Sequence, residues 1–477
     1  MRRMLAALAL WPLAAPVLAL SPDQATPGAL HFDERVVATG LKGPWQILWG
    51  PDDRLWVTER IAGRITRIDP ADGSKTVALT IAESANLGGQ DGLLGMALHP
   101  DLLKGKGHDW VFAAYTYIDA NLPPVATGER AGSPYANLHA KIVRLTYDPA
   151  TQTLGDPVDV IVGLLASTDH NSGRLRIGPD MKLYYTIGDG GHDQLGNYCV
   201  PIEAQTLPTA EQVAAKNYFA YQGKSLRLNL DGSVPDDNPV IGGVRSHIFT
   251  YGHRNMQGLD FAPDGTLYAS EHGPKSDDEI NILLAGRNYG WPQVAGYRDD
   301  KAYQYARWPD AATPCKSLKF NDLKIDPSVP AENETSWTGP MEDPIATLFT
   351  VPGDWNFGDP RCKGMTFVCW PTVAPSSMEV YMPKSGGIPG WEHSLLVPTL
   401  KRGSVYRIQL SPDGRKVIAP VERYFQGENR YRDTAISPDF KTIYVATDPG
   451  GPVDALAGGT TTKVQNPGAI LAFTYAP

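Results

Sequence analysis

Cysteine is nearly absent, with four in 477 residues. That is too few for a disulfide-stapled scaffold, and no spacing of His or Cys around residues 271–279 resembles a zinc site. Positive charge is also short. Against 52 Asp and Glu stand 43 Lys and Arg, a formal net charge of −9 that argues against nucleic acid and anionic membrane surfaces as partners. No glycine fingerprint follows an early strand, so a dinucleotide site is not indicated. Long helical periodicity is scarce throughout, and one stretch alone is apolar enough to suggest a membrane segment. It runs from Met4 to Leu18 behind Arg2 and Arg3. Pro12 and Pro16 interrupt it, it is short for a span, and Val17 and Ala19 suit a cleavage site. Residues 1–19 are therefore expected to be a signal peptide cleaved near Ala19, delivering a periplasmic or secreted protein with no membrane insertion.

Four cysteines suit an oxidising compartment. Cys362 and Cys369 lie close together in a Pro/Gly-rich loop and are expected to form a local disulfide, whereas the pairing of Cys199 and Cys315 stays open.

Glycine and proline are plentiful, 48 and 41 residues, and short strands recur between them. A turn followed by a strand appears at 50–59, 108–117, 178–188, 262–271, 391–400 and 437–448. Each has a second strand behind it, at 63–69, 141–148, 225–231, 279–285, 404–410 and 469–475. Six strand pairs in one chain predict an all-β fold, a six-bladed β-propeller of four-stranded antiparallel blades, with residues 20–477 as one domain. The spacing swells at 118–138, 190–223, 286–390 and 449–467, insertions expected to build a binding rim. The stretch 297–390 has neither period and reads as an ordered loop excursion rather than a second domain.

The chemistry-bearing residues gather in these loops. Asp169-His170 sits in a polar, Gly-flanked loop, a strand follows, and Asp189 lies in the next Gly-rich turn. A histidine held by a carboxylate has a fixed tautomer and raised basicity, the arrangement of a general base; an ordinary surface or capping pair is the alternative. Gln90-Asp91 marks another Gly-flanked turn. Arg254, before the fourth blade, could supply a fixed cation for a developing oxyanion. Glu271 to Glu279 is rich in hard oxygen around Gly273-Pro274, which suits Ca²⁺, or else is a solvated acidic loop. Arg430 and Arg432, spaced i and i+2, would share a face of an extended segment as a guanidinium pair. With Arg254 and Lys401 they place four cations on the loops of an acidic protein, a focus for a small polyanion carrying several carboxylates.

These motifs together carry a resemblance. GLKGPWQILWGPDDRLWVTER (40–60), QDGLLG, DHNSGRLRIGPD, GHRNMQG, GPKSDDEIN, NYGWPQVAGY, CWPTVAPSS, PTLKRG, NRYRD and NPGAILAFTY follow one another over nearly the full length. In this the chain resembles the soluble, periplasmic branch of the glucose/sorbosone dehydrogenase family that depends on pyrroloquinoline quinone (PQQ). The resemblance implies a six-bladed propeller and oxidation of an aldose sugar, glucose foremost, at C1 to the lactone. Hydride would pass to PQQ and electrons onward to an external acceptor.

Carried over residue by residue, it makes His170 the base, Asp189 its orienting acid and Arg254 the group polarising the quinone. Asn255, Thr372, Lys401, Arg430 and Arg432 would hold PQQ. Gln90 and Asp169 would contact the sugar, between Leu195, Phe367 and Trp370. The carbonyls of Gly273 and Pro274 would bind the Ca²⁺ shared with PQQ. Glu279, Tyr289, Ala295 and Asp299 would bind structural calcium near a possible homodimer interface. Two positions depart from the family pattern: Phe367 stands for a tyrosine and His272 for a glutamine. A calcium-dependent propeller hydrolase of lactonase type is the competing reading. It would share fold, metal and histidine without needing the cations.

Overall fold

Five four-stranded antiparallel sheets and one sheet of five strands are arranged as the blades of a propeller in this computed structural model, which describes residues 25–123, 125, 132–358, 360 and 364–477; the fifth strand, Thr26–Pro27, pairs parallel with the outermost strand of blade 5. The expected signal peptide and Cys362 lie outside the described residues. From the innermost strand outward, blade 1 is Pro44–Trp49, Leu55–Glu59, Arg64–Ile68 and Lys75–Thr80. Blade 2 is Leu93–Leu98, Trp110–Ile118, Leu138–Asp148 and Thr153–Leu165. Blade 3 is Leu175–Ile177, Leu183–Ile187, Lys224–Leu228 and Ile248–Tyr251. Blade 4 is Met256–Phe261, Leu267–Glu271, Asp278–Ile282 and Ala346–Leu348. Blade 5 is Glu379–Tyr381, Ser394–Pro398, Val405–Leu410 and Val417–Tyr424, and blade 6 is Tyr431–Ile436, Thr442–Thr447, Ile470–Tyr475 and Phe32–Ala38.

The strand pairs expected from the sequence are the second and third strands of all six blades. Each middle strand is covered by neighbouring blades on both faces, so it is apolar almost without alternation. In Leu55–Glu59, Leu183–Ile187, Leu267–Glu271 and Ser394–Pro398 every residue is buried. Each Leu, Val or Trp in them stabilises the fold by about 1.5–3 kcal/mol through area removed from water. The outermost strands of blades 1, 2 and 6 are exposed over much of their length, as in Lys75–Thr80, whereas those of blades 3 and 4 are covered. The last outer strand comes from the start of the chain: Phe32–Ala38 pairs antiparallel with Ile470–Tyr475, from Phe32 opposite Tyr475 to Val36 opposite Leu471, and closes the ring.

Two features of the 297–390 excursion differ from expectation. It contains the outermost strand of blade 4, Ala346–Leu348, and the innermost of blade 5, Glu379–Tyr381, both too short at three residues to show a period. Cys199 and Cys315 form a disulfide that ties this excursion to the 190–223 insertion. The latter holds the one α-helix among the described residues, Ala210–Ala214, capped by Thr209 and Gln212.

The innermost strands surround a polar axle. Arg174 is fully buried and donates to the Gln257 carbonyl (2.8 Å), the Ser376 carbonyl (3.1 Å) and Asp433 (3.0 Å), while its guanidinium lies 4.4 Å from the Trp45 ring centroid. Asp433 also accepts the Ile47 amide at 2.7 Å. Five blades meet on this one ion pair. Burial pulls the Arg174 pKa down to about 10, against the opposing field of Asp433.

Candidate functional site

One corner of the blade recurs as a site for a buried acid. LWVTE ends in Glu59, LYASE in Glu271, LYYTIGD in Asp189 and IYVATD in Asp448, so the end of the second strand carries a carboxylate in blades 1, 3, 4 and 6. The loop entering the innermost strand of the same blade reaches that acid. In blade 3 this loop bears His170, which with Ser172 adopts positive φ (46° and 51°), turning the imidazole inward.

His170 Nδ1 lies 2.7 Å from Asp189 Oδ1. Asp189 also accepts the Gly191 amide (2.8 Å) and the Trp291 indole N–H (2.9 Å). With Nδ1–H given to the acid, Nε2 is the basic nitrogen, a tautomer assigned from these partners. Burial works against charge on Asp189, but His170, Arg254 and the Gly191 amide outweigh it and hold the carboxyl below its ordinary value. An ionised acid keeps the imidazole oriented as a base.

Around Nε2 the other sequence-predicted residues assemble. Gln90 donates to Asp169, whose carboxylate is 4.0 Å from His170 Nε2. Arg254 points a guanidinium N–H at the His272 carbonyl (3.4 Å), and its Nε is buried without a partner. The Asn255 side-chain oxygen accepts from Ser172 and Gln257, leaving its Nδ2 buried and unpartnered. Gln194 was not foreseen: its amide is 3.1 Å from His170 Nε2 and its oxygen accepts from Arg254 at 2.7 Å. It bridges the imidazole and the guanidinium.

A second group sits on blade 5. Lys401 donates to the Thr372 hydroxyl and approaches the Trp370 carbonyl, which Arg402 also binds. Asp278 accepts the amides of Gly273, Val373 and Ala374, so it fastens the Gly273-Pro274 turn to the Thr372 loop. Burial disfavours charge on both Lys401 and Asp278, lowering the one and raising the other. Blade 6 supplies Arg430 and Arg432, which converge on Asp448: Arg432 is bidentate (2.9 and 2.8 Å), and Arg430 Nε is 3.5 Å away. The ladder shifts register between Tyr431 and Asp433, so Arg432 lies at a β-bulge rather than on a regular strand face. Blade 1 adds Arg60, which the sequence reading passed over. It donates to the Gly89 and Asp91 carbonyls beside Gln90 (2.7 and 2.9 Å); burial and the repulsion of Arg432 depress its pKa. All six blades thus contribute to one rim.

Leu195 is 59% exposed and Phe367 43% exposed, while Trp370 donates its indole N–H to the Phe357 carbonyl.

Two oxygen-rich places fit a hard cation. No hydrogen bond ends on the carbonyl of Gly273 or Pro274 among the described residues, and the Gly273 amide is turned away to Asp278. Behind them Asp277, Glu279 and Glu334 are buried together. Glu334, unforeseen, accepts the amides of Ala295, Asp299 and Asp300; Glu279 accepts that of Gly296. Asp277 Oδ2 and the Tyr297 hydroxyl have no partner. Burial raises Asp277 to about 7, Glu334 to about 8 and Glu279 well above its ordinary value. Tyr289 instead spends its hydroxyl on the Ile282 carbonyl and stacks on His253.

Residues 41–329 and 359–453 match the family model described as Glucose / Sorbosone dehydrogenase. The chain is 46% identical to quinoprotein glucose dehydrogenase B of Acinetobacter calcoaceticus over 460 residues, 96% of this chain and 94% of that protein. It is 27% identical to the aldose sugar dehydrogenase YliI of Escherichia coli, over 91% of this chain and 94% of the other. Among solved structures it is similar to the PQQ-bound aldose sugar dehydrogenase of Streptomyces coelicolor, with a TM-score of 0.60 and 25% identity over 94% of this chain and 99% of that one. With a propeller of six blades, an oriented histidine and a near full-length relative at this identity, the chain belongs to the glucose/sorbosone dehydrogenase family.

Proposed function

We propose that this chain is a PQQ- and calcium-dependent aldose dehydrogenase, oxidising a sugar such as glucose at C1 to the lactone and passing electrons to an external acceptor. The observation that carries this reading is the His170–Asp189 pair facing a rim of buried cations whose Arg254 Nε and Asn255 Nδ2 have no protein partner. Such donors in a dry site cost stability unless a bound group accepts from them.

His170 Nε2 takes the proton of the C1 hydroxyl, and ionised Asp189 stabilises the imidazolium that results. Gln90 and Asp169 orient sugar hydroxyls, and Leu195, Phe367 and Trp370 supply apolar surface on the same rim. Arg254, Asn255, Thr372, Lys401, Arg430 and Arg432 would hold the polyanionic cofactor, and the Gly273 and Pro274 carbonyls would bind Ca²⁺. PQQ, when bound, supplies the two-electron redox chemistry. Fixed positive charge stands where negative charge develops, at no reorganisation cost. Glu279, Ala295 and Asp299, joined by Glu334, would hold a second, structural calcium, and a homodimer near it belongs to the same reading. The Cys199–Cys315 disulfide supports export to an oxidising compartment after cleavage near Ala19.

A calcium-dependent hydrolase accounts for the histidine but leaves the unpartnered donors and four cations without a role. Protein stripped of cofactor and metal should regain dye reduction with glucose when PQQ and Ca²⁺ are both added, and with neither alone. Turnover without PQQ, or lactone hydrolysis in its place, overturns the proposal.

A further inference from the structure

A separate cluster lies at the other end of blade 2. The innermost strand of that blade begins beside Gln90 at the rim and ends at Leu98, six residues and roughly 20 Å away along the strand. The turn that follows, residues 99–109, carries His99, Asp101 and His108 before the chain returns at Trp110. Candidate ligand atoms of the three all lie within 4.8 Å of one another.

The chemistry of each member is specific. His108 Nδ1 is buried, has no hydrogen-bond partner and faces Asp101 Oδ2 at 3.7 Å. Lys106 holds the other oxygen of Asp101 at 2.9 Å, so the carboxylate is oriented with one oxygen left toward the imidazoles. That is the arrangement by which an outer partner aims a metal ligand. His99 is buried, with its ring centroid 5.0 Å from that of His108, and its Nδ1 accepts the Asp101 amide at 3.1 Å. Trp110 packs against both imidazoles and carries Arg144 over its own face, which gives the cluster a firm wall.

We propose that His99, Asp101 and His108 form a binding site for a divalent transition-metal ion of the zinc class, remote from the dehydrogenase centre. Two nitrogens and one oxygen suit Zn²⁺, with water as the fourth ligand, and disfavour Ca²⁺ and Mg²⁺, which take oxygen. Ligands about 2.0–2.1 Å from zinc stand roughly 3.3 Å apart in a tetrahedron, so binding asks for a contraction of up to about 1.5 Å. Asp101 and His108 are partly exposed on a turn and can supply it. The cost is the amide bond to His99, exchanged for the metal when Nδ1 is the ligand. Bound zinc would clamp the two ends of the 99–109 turn together.

The test is zinc binding by the protein loaded with Ca²⁺ and PQQ, followed by calorimetry and by metal counting after gel filtration. Wild type should take up one Zn²⁺ that excess Ca²⁺ does not displace. His108→Ala and Asp101→Asn should weaken that binding at least about tenfold, within the range seen for lost ligands and their partners. Sugar oxidation should be unchanged in both variants. Zinc should raise Tm in wild type and not in His108→Ala, whose unchanged circular dichroism serves as the fold control. No zinc uptake by wild type, or equal uptake by wild type and both variants, would show a packed aromatic turn only and overturn the proposal.

Discussion

Blades 3 and 4 use the same corner for opposite ends. In each, a histidine in the loop before the innermost strand binds an acid at the end of the second strand, His170 to Asp189 at 2.7 Å and His253 to Glu271 at 2.9 Å. Both pairs are buried. The difference is the remaining nitrogen. His253 Nε2 is taken by the Thr250 hydroxyl at 2.8 Å, and Glu271 turns its second oxygen to the amides of Arg254 and Asn255. His170 Nε2 meets the amide of Gln194 at the rim, with the Asp169 carboxylate 4.0 Å away. In the proposed function a histidine–carboxylate pair acts as an anchor or a base according to what its far nitrogen touches, and burial does not distinguish them.

The sharpest way to break this comparison is to remove both histidines in turn. His170→Gln should lower kcat by roughly 10²- to 10⁴-fold, the contribution of a positioned base, with Tm little changed. His253→Gln should do the reverse: a loss of about 1–3 kcal/mol in stability from the buried partners it strands, with kcat of the folded protein within about tenfold of wild type. Equal kinetic defects in the two would end the distinction.

Blade 6 offers a third version of the corner, with arginines in place of histidine. Arg432→Ala should weaken binding of PQQ by about one to two decades, the worth of a charge-assisted contact, while saturating PQQ restores most of the rate. Asp448→Asn should tighten PQQ binding, because the carboxylate now neutralising both guanidiniums is gone. Equilibrium titration of the cofactor reads both; weaker binding in the second variant would mean that Asp448 aims the arginines rather than competing for them.

The smallest effect concerns Asp193, on the insertion beside Gln194. Burial, with the charges of Asp189 and Asp310, raises its pKa to about 8, against the pull of the Trp308 amide it accepts. A carboxyl whose folded pKa exceeds its unfolded value binds its proton more tightly when folded, so it subtracts stability as pH rises from about 4 to 8. Asp193→Asn keeps an acceptor for Trp308 and should flatten that slope in Tm measured from pH 5 to 8. A slope identical to wild type would place the titration elsewhere.

The readability of the chain followed burial. Strands such as LYYTI and LYASE, covered on both faces, announce themselves as apolar runs, which is why the middle pair of every blade could be found. Innermost strands such as Leu175–Ile177 are short, or bulged and polar as at Gln257 and Asp433, and hide their period. The loop motifs marked His170, Arg254 and Lys401 because each lies in a distinctive cluster. Gln194 and Glu334 carry no local signal of their own, Arg60 merely ends the LWVTER strand motif, and the fold brings them to the imidazole, the rim and the buried acids. Asp448 was within reach: aligning IYVATD with LYYTIGD and LYASE puts an acid at a common place. The Cys199–Cys315 bond spans 116 residues, and no spacing rule selects it.

The axle at Arg174 bears on how such a ring is made. Its carboxylate partner lies 259 residues further along the chain, and its other partners come from three blades that arrive between them or before. During synthesis the guanidinium at 174 stays hydrated until nearly the whole polypeptide has emerged. A chain that stops short of residue 433, or loses its final blade to a protease, would be left with an uncompensated charge in a dry axis, a penalty of several kcal/mol. The charge at the centre of the molecule is thus matched only when the blades at both ends of the chain are in place.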